Sequence, residues 1–231
     1  MSARLALLAA LSLAACAPSV QPLAPTVEGA SLDRINLISS YGPPESERDL
    51  FGRTRERELL YGVAEVSIPP NHQTGRIEWP GRTPDANTSF VISDIERFST
   101  QQAFLDQIPR ARETVLFVHG YNNTAPEAAF QAAQIRHDFE LENPIVAFVW
   151  PSAGDVRGYL YDRDSVLFSR VDLANTLAAL AQSGDDVLIM AHSMGSLLTM
   201  EAMRHLALND QQSVLRRISG VLLISPDIDR D

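Results

Sequence analysis

Four short apolar runs constrain this chain more than any other feature. They are Thr114–His119, Ile145–Trp150, Asp186–Ala191 and Ile218–Ile224. A continuous apolar run of this length fits a strand buried on both faces. Between the runs lie stretches with helical spacing. Pro126–Leu141 carries Ala129, Phe130, Ala133 and Ile135 on or near one stripe. Ser165–Ala181 repeats Leu167, Val171, Ala174, Leu177 and Ala178 at helical intervals, with Asp164 placed as an N-cap. A third helix is expected over about Gly195–Leu208. Strands alternating with helices imply βαβ units and a mostly parallel sheet with helices on both faces. Upstream, Leu59–Ile68, Gly75–Trp79 and Phe90–Phe98 read as strands, giving the sheet an antiparallel lead-in.

The N-terminus has a different character. Arg4 precedes the apolar run Leu5–Leu13, which is too short to span a bilayer as a helix. It reads as the core of a signal peptide over residues 1–15. The run ends in Leu13-Ala14-Ala15-Cys16, which resembles a bacterial lipobox, and Cys16 is the chain's single cysteine. The resemblance implies cleavage before Cys16 and lipidation of its sulfur, so the membrane is one expected partner. Ala17 after the cysteine resembles the pattern of outer-membrane lipoproteins, which implies a place in the cell envelope facing the periplasm. Ordinary secretion is the alternative. Ala17–Ser31 is rich in Pro, Ala and small polar residues and reads as an extended tether. The expected division is residues 16–40 for lipidated cysteine and tether, and 41–231 for one α/β domain.

Composition excludes several chemistries. The net charge of −10 leaves no basis for nucleic-acid binding. All 19 basic residues are arginine, so Schiff-base lysines, phosphate-loop lysines and Ser-Lys dyads are impossible. One cysteine permits no internal disulfide and no cysteine-rich zinc site. No metal-ligand spacing is visible, and the chemistry proposed next needs no cofactor.

Ala191-His192-Ser193-Met194-Gly195 lies between an apolar run and a helix. It has the form of a nucleophile elbow, with Ala for the first Gly. Such a turn is strained and needs small flanking residues so that strand and helix can approach. It lifts the Ser193 oxygen to a helix N-terminus, where the dipole favours developing negative charge. The Met194 N–H is then one oxyanion donor. The loop after the first run, His119-Gly120-Tyr121-Asn122-Asn123, is placed to supply the other from Tyr121 N–H, with Gly120 permitting close approach. His119 and His192 are expected to be structural residues of loop and elbow rather than the general base. Trp150, at the carboxyl edge of the Ile145–Trp150 run, either lines a pocket or packs in the core. Asp162 and Asp164, in the stretch after it, are read respectively as a contact for polar substrate and as a cap.

These motifs, together with Trp150-Pro151-Ser152, Ser225-Pro226-Asp227-Ile228-Asp229 and Val66–Pro80, resemble the bacterial α/β-hydrolase family of unknown function DUF900, from about Tyr61 onward. The resemblance implies an α/β-hydrolase fold and esterase- or lipase-like chemistry on a small-molecule or lipid ester. A triad runs Ser, acid, His along such chains. Asp227 is the candidate acid, beside Asp229, with turn stabilisation as its alternative role. The family pattern carries a further strand with its own Asp, and then the His. Here the only histidine after Ser193 is His205, twelve residues on in the same helix. That is about 18 Å along the axis, out of reach. His72 and His137 precede the elbow and read as structural. The expectation is therefore a hydrolase lacking its C-terminal strands, helix and catalytic histidine. The alternative is a non-catalytic envelope lipoprotein that binds through the same cleft.

Overall fold

The computed structural model describes residues 23–228. The expected signal peptide, Cys16, the first part of the expected tether and Asp229 lie outside these residues. Seven strands form one sheet in the order β3-β2-β1-β5-β4-β6-β7. They are β1 (Ser31–Tyr41), β2 (Arg55–Ile68), β3 (Val91–Phe98), β4 (Glu113–Val118), β5 (Ile145–Val149), β6 (Asp186–His192) and β7 (Ile218–Ile224). Only β2 runs against the rest: it pairs antiparallel with β1 and β3, while β1, β5, β4, β6 and β7 are mutually parallel. The helices are α1 (Gln101–Gln107), α2 (Ala125–Asp138), α3 (Tyr159–Gln182), α4 (Met194–Leu208) and α5 (Gln212–Leu215).

The strand period of two sorts the core into two layers. On β4, Leu116 and Val118 face the layer of α3 and α4, while Val115 and Phe117 face α2. On β5, Val146 and Phe148 join the α3–α4 layer, and Ile145, Ala147 and Val149 the α2 layer. Both central strands are thus buried on each face, which is why their sequence is apolar without alternation. Each fully buried Leu or Phe here stabilises the fold by about 1.5–3 kcal/mol relative to exposure. Helix α2 starts where it does because Glu127 accepts from both the N–H and the hydroxyl of Thr124, closing a capping box just before the apolar stripe.

Four elements depart from the sequence reading. Residues 31–40 are not tether: they belong to β1, in the middle of the sheet. Its polar residues hide the strand pattern, yet each is satisfied. Asn36 donates to the Ile145 carbonyl and accepts from Gln107, Ser39 donates to the Val149 carbonyl, and Ser40 pairs with Ser169. Gly75–Trp79 forms no strand. Pro80 closes the segment, and the Glu78 side chain turns to His72. Helix α3 begins at Tyr159, so Asp164 lies inside the helix and is not its cap. The fourth apolar run does form β7, but it occupies the sheet edge, and Leu222 is 50% exposed. Helices α1 and α5 are too short to carry a periodic signal. No helix among the described residues is long and apolar enough to cross a membrane.

Candidate active site at the nucleophile elbow

Ser193 joins β6 to α4 with φ 49 and ψ −122. A positive φ at a residue with a Cβ is strained, and it persists only where the surroundings enforce it. Three backbone hydrogen bonds do so: Ser193 N–H donates to the Ile224 carbonyl, and the Ser193 carbonyl accepts from Ser196 and Asp227. The flanking residues are small for a measurable reason. A Cβ on Gly195 would lie 2.3 Å from the His119 carbonyl oxygen and 2.6 Å from that of Val118. The start of α4 therefore presses directly on the end of β4. A Cβ on Gly120 would lie 2.6 Å from His192 Nδ1 and 3.1 Å from Ser193 Cβ. Gly120 thus brings the β4–α2 loop against the elbow. Ala191 is fully buried beneath it.

Two N–H groups flank this contact. Met194 is the first residue of α4, so its N–H has no acceptor within the helix. Tyr121 follows Gly120 in the loop. Neither N–H has a hydrogen-bond acceptor among the described residues.

All five histidines fall within the described residues. His119 is fully buried behind the loop and stacks on Trp150 with ring centroids 4.8 Å apart. Its partners fix its tautomer: Nδ1 donates to the Gly120 carbonyl, and Nε2 accepts from the Trp150 N–H. Burial pushes its pKa down to about 4, although the hydrogen bond to the Gly120 carbonyl opposes the shift. The neutral ring has no nitrogen left for Ser193. Trp150 is fully buried, with its indole N–H on the His119 carbonyl, so it packs in the core. His192 is half-buried, and burial lowers its pKa. It makes no hydrogen bond to Ser193 among the described residues. His72 is held between Glu78 at 2.7 Å and Asp138 at 2.9 Å. The His137 ring packs edge-on against His72, and His205 is contacted by Asn209 near the end of α4.

Asp227 comes close to the elbow, where its N–H donates to the Ser193 carbonyl. Its carboxylate accepts not from a histidine but from the Tyr159 hydroxyl, 3.0 Å away. That bond raises the pKa of Tyr159. Tyr159 in turn packs edge-on against Tyr121. Nothing in the sequence singled out Tyr159, because the contact joins the start of α3 to the segment after β7, which only the sheet order brings together.

Asp162 does not face solvent as a substrate contact would. It is fully buried, and it accepts from Asn122 N–H, the Ser152 hydroxyl and Ala153 N–H. Two cavities open nearby. One of about 310 Å³ has apolar walls from Ile77, Trp79, Phe117, Ile135 and Ile224, with His192 at its side. The other, about 490 Å³, lies over the carboxyl ends of β1 and β5 and is lined in part by Tyr41, Phe51, Arg53 and Arg157. Among the described residues no group of His, Cys, Asp and Glu could hold a metal ion.

Comparison with known proteins agrees with this architecture. The family described as an alpha/beta hydrolase of unknown function (DUF900) matches residues 96–231, which leaves Val66–Pro80 outside the match. No curated protein and no solved structure matches the chain. The match spans more than half of the sequence and takes in β4 to β7, the Gly120 loop and the elbow, so this chain belongs to the α/β-hydrolase family DUF900.

Proposed function

We propose that this chain is a lipid-anchored serine hydrolase of esterase or lipase type, with Ser193 as nucleophile and the N–H groups of Tyr121 and Met194 as oxyanion donors. The single observation that carries the proposal is the strained Ser193 backbone between β6 and α4, set beside two N–H groups without acceptors among the described residues. In the proposed reaction Ser193 Oγ forms a bond to the acyl carbonyl carbon, and the carbonyl π pair moves onto oxygen between the two N–H groups. The serine proton goes to a base, the intermediate collapses, and the alcohol leaves with a proton. Water then adds to the acyl-enzyme and releases the acid. Asp227 is the candidate acid of this site.

None of the five histidines bonds to Ser193, so the base is the one part of the machinery that no described residue supplies. This favours a rival reading, in which an α/β-hydrolase cleft on an envelope lipoprotein binds a ligand without turning it over. A fluorophosphonate probe separates the two. The hydrolase reading expects covalent labelling of the wild type and none of Ser193→Ala. Equal absence of label in both, with imidazole present as an added base, leaves the binding role.

The anchor is tested separately. Lipidation at Cys16 predicts a mature N-terminus beginning with an acylated cysteine, readable by mass spectrometry and lost in Cys16→Ser. The same variant should release the protein from the outer-membrane fraction. An unmodified mature N-terminus would rule the anchor out.

A further inference from the structure

The buried carboxylate of Asp162 has no role in the reaction just proposed, yet it reaches the loop that this reaction depends on. It sits in the first turn of α3, with its own N–H on the Gly158 carbonyl. One oxygen accepts from Asn122 N–H at 3.0 Å and from the Ser152 hydroxyl at 2.6 Å. The other accepts from Ala153 N–H at 2.5 Å. Three donors on one fully buried carboxylate satisfy a charge that would otherwise be costly to bury. They also join three segments: the β4–α2 loop, the β5–α3 loop and α3.

The position of Asn122 gives this joint a consequence for Tyr121. Asn122 has φ 57, a left-handed conformation that asparagine tolerates better than most residues. Its N–H belongs to the peptide group on the C-terminal side of Tyr121, and Asp162 pins that group. The peptide group on the N-terminal side is pinned as well, because the Gly120 carbonyl accepts from His119 Nδ1. In a trans peptide the N–H points away from the carbonyl. Fixing the Gly120 carbonyl toward His119 therefore fixes the direction of the Tyr121 N–H. Both peptide planes around the candidate oxyanion donor are held by buried side chains.

We propose that Asp162 is a positioning residue that locks the Gly120–Asn123 loop so that the Tyr121 N–H is aimed at the Ser193 site before any ligand binds. The inference rests on the reading of Tyr121 as an oxyanion donor. Preorganised donors gain their effect by needing no rearrangement as charge develops.

The test uses the full chain as wild type, Asp162→Asn and Ser152→Ala, with hydrogen exchange and probe labelling read in parallel. Asp162→Asn keeps the shape but places an amide donor where N–H groups need an acceptor. Amide exchange across residues 120–123 should rise about tenfold to hundredfold, the range for loss of a hydrogen bond to a charged group, while the β4 core stays unchanged. Ser152→Ala removes only the hydroxyl donor and should leave that exchange within about twofold of wild type. In fluorophosphonate labelling with imidazole, Asp162→Asn should lower the maximal rate about tenfold to hundredfold without moving the half-saturating probe concentration. Unchanged exchange at 120–123, or an equal rise there and in β4, would overturn the proposal. So would an unchanged maximal rate. If the wild type itself takes no label at Ser193, the nucleophile reading fails, and the exchange data alone decide whether Asp162 locks the loop.

Discussion

Two places in this molecule gather the residue types that a serine hydrolase uses, and they are complementary in what they lack. The elbow has a strained serine and two N–H groups, and a carboxylate close by, but no histidine bonded to them. The loop before β3 has a histidine between two carboxylates, His72 with Glu78 and Asp138, but no nucleophile. By residue type the His72 cluster is nearer to a triad. Its geometry says otherwise. A general base needs one ring nitrogen free to take a proton from the nucleophile. Both nitrogens of His72 face carboxylate oxygens within hydrogen-bond distance, which favours the doubly protonated cation. That arrangement fastens the 71–79 loop to the end of α2. Residue type nominates a site, and only the number of unengaged polar atoms qualifies it.

The largest effect is expected at His72. Burial lowers its pKa, but the hydrogen bonds its ring donates to the Glu78 and Asp138 carboxylates outweigh burial and raise it above 6.5. Both carboxylates lie below their ordinary values against burial, Glu78 chiefly through the His72 hydrogen bond and Asp138 through the Gly75 N–H and then through His72. Removing the ring leaves two carboxylates facing each other. His72→Ala should cost about 3 kcal/mol in urea unfolding at pH 6, because a buried charge loses its partner. The sign of the pH dependence follows. The His72 contribution is complete below about 6.5 and fades as pH rises through its raised value. The Glu78 and Asp138 contributions fade as pH falls through their lowered values. The wild-type advantage over His72→Ala should therefore be widest between these limits and shrink at either end. An advantage independent of pH would mean that packing, not charge, holds the loop.

The elbow is attacked through backbone contact instead. Gly195→Ala places a Cβ against two β4 carbonyl oxygens and should cost about 1–3 kcal/mol by overpacking. Because it moves α4 away from β4, it should also abolish Ser193 labelling while the His72 network keeps its pH signature. Loss of both together would show that the two regions are not independent.

Asp172 on α3 gives the smallest effect and a clean control, a carboxylate in neither arrangement. It is buried, and its Oδ2 has no hydrogen-bond partner among the described residues. Burial raises its pKa to about 6, with Arg57 only partly opposing. A folded value above the unfolded one means that stability falls as pH rises from about 4 to 6. Asp172→Asn should then gain about 1 kcal/mol at pH 7 and nothing at pH 4. No gain at pH 7 would mean that the ionised group is solvated after all.

The parts legible in the sequence were those enforced by repetition or by steric necessity. The runs ending at His119 and Trp150 announced β4 and β5 because burial on both faces leaves no place for polar residues, and the run ending at Ala191 announced β6, although only alternate residues of that strand are fully buried. Gly120 and Gly195 announced a close approach, and the structure puts numbers on it. Strand β1 was concealed because Asn36, Ser39 and Ser40 are buried by specific hydrogen bonds rather than by apolarity. Burial by hydrogen bonds also hid the role of Asp162, whose partners Asn122, Ser152 and Ala153 come from two loops, and the contact of Tyr159 with Asp227 spans 68 residues and depends on the sheet order. Single-residue polarity cannot tell a buried, satisfied carboxylate from one that faces substrate.

The most direct test of Ser193 as a poised nucleophile without a bonded histidine is its fluorophosphonate labelling rate against added imidazole. The rate should start low, rise with imidazole concentration and disappear in Ser193→Ala. Fast labelling that imidazole does not change would contradict this by revealing a base within the chain, and no labelling at any imidazole concentration would remove Ser193 from the role of nucleophile.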